Sequence, residues 1–222
     1  GKIKRIFISH WHGDHTLGLG GLIQTLSNTD NIEKIEIHGP INTKTYIDHI
    51  LKSSIFDTKI TIDIFEHNPK PGKTLTIVNN SNYSISCARL AHSTPCLGFT
   101  FKEKDVLNID KAKLKKVAPD LEKSPLLARA KMGHSIKHKN LTIRAEDITY
   151  KKTGLKVSLI FDTRPCPEIN LLAENADFLV MESNHLHKTH AAKAEEYEHM
   201  TAKEAAEAAL ENNVKSLIIT HF

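Results

Sequence analysis

The chain has no apolar run long enough to cross a membrane, no Cys-x-x-Cys pair and no internal repeat at a short period. The first absence leaves no membrane partner to expect. The third excludes a solenoid or propeller built from short repeats. Cysteines number only three, Cys87, Cys96 and Cys166. An odd set without paired spacing argues against a disulfide framework, so reduced packing thiols and a cytoplasmic location are expected. The net charge of +4 is too small to diagnose a partner.

What is present suffices for one substantial domain without staples, since 40% of the 222 residues are apolar. The charge is unevenly placed. Residues 102–156 hold 15 Lys/Arg and 7 Asp/Glu, a local net of +8 that leaves −4 for the rest. A basic segment on an acidic body suits a polyanionic partner; a solvated lysine-rich surface is the plainer reading of charge alone.

The densest chemistry is His10-Trp11-His12-Gly13-Asp14-His15, directly after the apolar run Ile6-Phe7-Ile8. Four metal-capable side chains within six positions suit a water-activating metal site, because borderline-soft ions take imidazole nitrogen together with carboxylate oxygen. A packed core has no such need.

Hydrophobic periodicity supplies the frame. A strand is expected over 2–9, a helix over 16–26, a short strand at 35–37 stopping at Gly39-Pro40, and a helix capped by Asn42. Alternating strands follow at 60–64, 75–78 and 83–87, with another at 97–101. After Lys102 apolar residues thin out; short helices fit 110–116 and 124–131, a strand fits 141–143, and the stretch reads as an inserted arm. Buried strands return at 157–161 and 178–181. Thr201-Ala202-Lys203-Glu204 has the capping-box pattern, its helix ends near Asn212-Asn213, and a last strand covers 214–220. Alternating strands and helices favour an α/β layered fold.

Several expected strands end in a candidate ligand. His10 follows Ile8, Asp162 follows Phe161, His221 follows Thr220, and His92 follows the strand-like Ser84–Leu90. Taken alone, His221 reads as a surface residue and Asp162 as a turn former. With the hexapeptide they form a set (His10, His12, Asp14, His15, His92, Asp162, His221) large enough for two cations sharing one carboxylate. His38, His49, His67, His134, His138, His187 and His190 lack such context and are expected to be ordinary surface or loop residues.

The hexapeptide resembles the signature of the metallo-β-lactamase fold superfamily. The longer segment Ile8–Leu22 resembles ribonuclease Z, the family of tRNA 3′-processing endonucleases. So do Asp162-Thr163-Arg164-Pro165, Glu182-Ser183-Asn184-His185, the turn His199-Met200-Thr201 and the ending Ile218-Ile219-Thr220-His221-Phe222. The resemblance implies an α/β (α+β) fold, a four-layer αβ/βα sandwich spanning residues 1–222 as a single domain, with 104–153 as an inserted tRNA-binding arm. Compared with that family the chain is expected to be truncated at both ends, and its arm lacks the usual Gly-Pro turn.

The resemblance also implies two zinc ions per chain, with manganese or iron as alternatives. One is expected on His10, His12 and His92, the other on Asp14, His15 and His221, with Asp162 bridging. Asp14 is expected to act on the nucleophilic water. His199, oriented by Glu182, is expected to protonate the leaving 3′ oxygen. The implied reaction is removal of the 3′ trailer from precursor tRNA through attack by metal-bound hydroxide. Lys111, Lys113, Lys115, Lys116, Arg129 and Lys131 are expected to contact tRNA phosphates, and the protein to work as a homodimer. The alternative activity is hydrolysis of small phosphodiesters, thioesters or lactones on the same fold.

Overall fold

The structure, a computed structural model, describes residues 3–222. It divides into two units. The first comprises residues up to Asn79, Ile85–Phe101 and Lys156–Phe222; the second comprises Asn80–Ser84 and Lys102–Leu155.

The chain begins with β1 (Arg5–Phe7), α1 (Gly13–Thr16), α2 (Leu19–Ser27), β2 (Lys34–Pro40), α3 (Thr43–Lys52) and β3 (Thr61–His67). These three strands form a parallel sheet in the order β1-β2-β3. Next come β4 (Leu75–Asn79), β5 (Tyr83–Leu90) and β6 (Cys96–Glu103). The second unit carries β7 (Val106–Ile109), α4 (Lys111–Val117), α5 (Leu127–Lys131), β8 (Ile136–His138), β9 (Leu141–Ile143), α6 (Ala145–Ile148) and β10 (Thr149–Lys152). The chain then returns as β11 (Lys156–Ile160), α7 (Pro167–Ala173), β12 (Phe178–Glu182), α8 (His187–Glu196), α9 (Ala202–Glu211) and β13 (Ser216–Thr220). A six-stranded sheet runs β13-β12-β11-β6-β5-β4, in which β11, β12 and β13 are parallel.

Side-chain alternation along the strands explains the layering of the first unit. Ile35 and Ile37 of β2 pack with Ile23 and Leu26 of α2 and Ile47 of α3 on one side of the small sheet. In the large sheet, Cys87, Leu97 and Phe99 share a buried cluster with Phe7 of β1 and with Ile77, so the two sheets meet there. The intervening residues Ala88, Leu90 and Cys96 point the other way. They join Ile160, Leu179 and Met181 beneath Leu172 of α7 and Ala205 and Ala209 of α9. The order is helices, sheet, sheet, helices, the mixed α/β arrangement expected from the sequence.

Local chemistry accounts for some element ends. Thr201 and Glu204 form the anticipated capping box. Asn213 adopts φ 52° just after α9, a left-handed conformation that asparagine tolerates. One expectation is refined and one corrected. The strand at 35–37 is longer than its alternation shows, β2 spanning Lys34–Pro40 and ending on the Gly39-Pro40 pair, where Gly39 passes so close to α3 that a Cβ would collide with Thr43 Oγ1. Asn42 does precede α3, but at φ 73° its side chain makes no capping bond.

The second unit has a small core of its own, with Leu114, Ala118, Leu121, Ala130, Ile136, Ile143, Ala145 and Ile148 all buried. β7 pairs antiparallel with β10, and β8 with β9. Asp110 caps α4 by accepting from the Ala112 and Lys113 amides at 3.0 Å. Within the 3-10 turn Pro119–Leu121, the Asp120 carboxylate lies 2.8 Å from Lys139 Nζ and 2.7 Å from His138 Nε2.

The Lys139 bond, reinforced by His138, lowers Asp120 to about 2. A carboxylate whose folded pKa lies below its unfolded value stabilises the fold above the unfolded pKa and loses that contribution as pH falls through the folded one. Asp120→Asn is therefore expected to lower the melting temperature at pH 5, with the gap to wild type closing between about pH 4 and pH 2. Thermal scans across that range check it.

Candidate metal centre

Strand tips gather the site. His10 follows β1, His92 follows β5, and Asp162, Glu182 and His221 end or follow β11, β12 and β13. Because those last three strands are parallel, their carboxyl ends share one edge of the large sheet. The Leu97 amide donates to the Ser9 carbonyl at 2.9 Å, tying the loop after β1 to that edge.

Asp162 lies at the centre and is 2% exposed. Its Oδ2 is 3.4 Å from His10 Nε2, 3.3 Å from His15 Nε2 and 3.9 Å from His92 Nε2; its Oδ1 is 3.5 Å from His221 Nδ1. His12 Nδ1 lies 3.3 Å from His92 Nε2. Asp14 Oδ2 is 3.3 Å from His15 Nε2 and 3.7 Å from His221 Nε2. The geometry yields three overlapping compact groups, His10, His12, His92 and Asp162, then Asp14, His15 and His221, and finally Asp162, His199 and His221, each with its ligand atoms within 4.8 Å of one another.

The donor set fits a cation better than a hydrogen-bonded core. His10 Nε2, His15 Nε2 and Asp162 Oδ1 are buried without a hydrogen-bond partner among the described residues. Orphaned buried polar atoms are costly and rare unless something else satisfies them. Burial lowers His10 to about 4 against the pull of Asp162, and the adjacent imidazoles add to the fall, so this ring is neutral and ligand-ready at physiological pH. Burial also lowers His92. Its Nδ1–H donates to the Glu198 carbonyl at 3.0 Å, which aims Nε2 into the cluster. Ser9 Oγ sits 3.1 Å from His10 Nδ1 and orients that ring likewise. Desolvation raises Asp14, but His15, a backbone bond and His221 together hold it below its ordinary value. At 68% side-chain exposure, Asp14 is the cluster's most open carboxylate.

Beside these groups, His199 Nδ1 contacts Glu182 at 3.1 and 3.2 Å and reaches within 3.9 Å of Asp162. Glu182 is fully buried. Burial lifts it to about 7; the Thr163 amide opposes that rise and the Asp162 charge adds to it. Burial also lowers His199. Glu182 is thus poised near neutrality, where a carboxyl can hold or pass a proton.

Thr163 and Arg164 stand in the Asp-Thr-Arg-Pro motif, yet sequence reasoning assigns them no role; the structure does. Thr163 Oγ1 accepts from the Ala91 amide at 3.1 Å, while its own N–H donates to Glu182 Oε1 at 2.6 Å. Arg164 Nη1 donates to the His199 carbonyl at 2.5 Å. Only the spelling of the motif carries a hint of this.

His38 corrects an expectation. It is 4% exposed on β2, stacks on Phe7 and Phe65, and sits 3.0 Å from His67 Nε2. His187 bonds Thr201 Oγ1 at 3.0 Å, and His138 pairs with Asp120.

No family model matches the chain. A curated protein of Chlamydia muridarum named Ribonuclease Z is 37% identical over 221 residues, covering 99% of this chain and 70% of that protein. Among solved structures, human tRNase Z, short form (ELAC1), matches with a TM-score of 0.70 at 23% identity, over 100% of this chain and 73% of that one. The metallo-beta-lactamase fold protein YhfI from Bacillus subtilis matches with a TM-score of 0.57 at 16% identity, over 98% and 64% respectively.

Asp162→Ala is expected to weaken metal uptake by roughly tenfold or more, since even groups that only orient ligands are worth that much. Metal content after equilibration with Zn²⁺ and desalting checks it. Uptake equal to wild type would deny Asp162 a place in the site.

Proposed function

The chain belongs to the ribonuclease Z family, and we propose from that premise that it is an endoribonuclease removing the 3′ trailer from precursor tRNA. The observation that carries this reading is the convergence of His10, His15, His92 and His221 on the buried Asp162 carboxylate, with the Glu182–His199 pair alongside.

His10, His12 and His92 would hold one zinc ion, Asp14, His15 and His221 a second, and Asp162 both. When bound, such a pair of cations lowers the pKa of a water and offsets phosphoryl charge. The protein's own groups handle the protons and the orientation. Asp14, the exposed carboxylate, accepts the proton of the attacking water. Glu182 holds His199 at Nδ1, which leaves Nε2–H to protonate the 3′ oxygen as its bond to phosphorus breaks. A ribose oxygen is a poor leaving group, so this proton matters.

The second unit supplies affinity for the RNA backbone through its cations. Lys111, Lys113, Lys115 and Lys116 lie exposed on α4, and Arg129 and Lys131 lie exposed on α5. None of the six forms a salt bridge among the described residues. Unpaired cations on short helices suit phosphate contacts, which position an RNA without reading its bases. Residues 104–153 act as the tRNA-gripping arm within a cytoplasmic homodimer. The reduced, largely buried thiols agree with that compartment.

Incubation with 3′-extended precursor tRNA, with and without chelator, is expected to give chelator-sensitive cleavage at the trailer boundary. His12→Ala should abolish it in a folded protein; wild-type cleavage by that variant would reject the site. Deleting 104–153 should eliminate precursor cleavage while small-diester turnover persists; loss of neither would leave the arm without a role. Substituting Lys113, Lys115 and Lys116 by alanine should flatten the salt dependence of tRNA binding, by roughly 0.9 in log–log slope for every phosphate no longer neutralised.

A further inference from the structure

Resting on the acid role given to His199 above, we infer that Arg164 is a positioning residue that fixes where His199 delivers its proton. The segment 198–201 between α8 and α9 carries that histidine. Glu198, at φ 58°, takes the left-handed place of a Schellman cap on α8, its N–H donating to the Glu195 carbonyl and the His199 N–H to the Ala194 carbonyl. Two side chains grip the backbone at this point. His92 Nδ1–H donates to the Glu198 carbonyl at 3.0 Å, and Arg164 Nη1 donates to the His199 carbonyl at 2.5 Å.

The guanidinium is itself held. Arg164 Nη1 and Nη2 donate to Glu204 Oε2 and Oε1 at 3.2 and 2.8 Å. Glu204 Oε2 also accepts from the Thr201 amide at 2.8 Å and from Thr201 Oγ1 at 2.9 Å. The Arg164 backbone N–H donates to the Ala91 carbonyl at 2.7 Å, one residue before His92. A short chain of bonds therefore runs from the two loops that carry His92 and Asp162 to the backbone of His199. Side-chain exposures of 26% for Arg164 and 18% for Glu204 keep these charge-assisted bonds out of bulk water.

A purely structural reading, a salt bridge tidying the start of α9, does not account for the contact with His199. The capping box needs only Thr201 and Glu204. Spanning a carbonyl and a carboxylate at once requires a planar fork, which lysine lacks.

The test compares two substrates of the metal-loaded full-length protein. Precursor tRNA has a leaving ribose oxygen that needs a proton, whereas bis(p-nitrophenyl) phosphate has a leaving aryloxide that needs none. Arg164→Ala is expected to reduce kcat on precursor tRNA by roughly 100-fold, the scale of an ångström-sized misplacement. Its KM, its metal content and its turnover of the aryl diester should stay close to wild type. Added guanidinium should restore part of the missing kcat, and Arg164→Lys should remain impaired. Equal losses on both substrates, or wild-type cleavage of precursor tRNA, would overturn the inference.

His199→Ala separates this inference from the reading beneath it. Wild-type precursor cleavage by that variant removes the acid role and the inference with it. Loss in His199→Ala without loss in Arg164→Ala removes the inference alone. Should Arg164→Ala fail to fold, Glu204→Gln keeps the capping bonds but removes the charge that anchors the guanidinium. The same substrate-selective loss, in milder form, is expected from it; parallel losses on both substrates would overturn the inference.

Discussion

A carboxylate surrounded by imidazoles and cut off from water is the constraint to which the rest of the molecule answers. Asp162 is buried beside four rings, one oxygen facing His10, His15 and His92 and the other facing His221. Such a group is unfavourable unless cations or a full complement of hydrogen bonds surround it. The protein meets this demand with rigidity. The Cys96 thiol donates to the Asp162 carbonyl at 3.3 Å, and the next two residues are bonded to Ala91, Glu182, His199 and Glu204. The Asp-Thr-Arg triplet is thus a junction: one side chain faces the cluster while its neighbours fix the three loops around it.

The chemistry divides by what each group must do. A metal centre needs groups held to fractions of an ångström, and the first unit offers them at strand ends packed between two sheets. Phosphate contacts, as proposed for the second unit, need charge more than geometry, and its exposed lysines stand on short helices over a small core of their own. The uneven charge of the sequence reflects this division, because lysines that would burden the sandwich core are tolerated on exposed helical faces.

Much of the site is legible in the sequence because its densest part is local. Four donors within His10–His15 lie on one loop, and His92, Asp162 and His221 stand out by following apolar runs. Contact between distant segments is what the sequence hides. His38 reads as a surface histidine because Ile35 and Ile37 mark only the helix-facing side of β2; the aromatic rings of Phe7 and Phe65 that cover its other side belong to β1 and β3. The role of Arg164 depends on residues 35 and 40 positions away. The core of the second unit is hidden because it is built from single apolar residues scattered among lysines, a pattern with no clear period.

The last donor, His221, sits in a left-handed backbone conformation, φ 57°, immediately after β13. Histidine is among the residues that tolerate this region, and the pairing of Thr220 with Glu182 fixes the residue just before it. A cation bound by this set would draw ligands from strand ends that only the closed sheet brings together, in contrast to small zinc domains whose folding the ion itself drives.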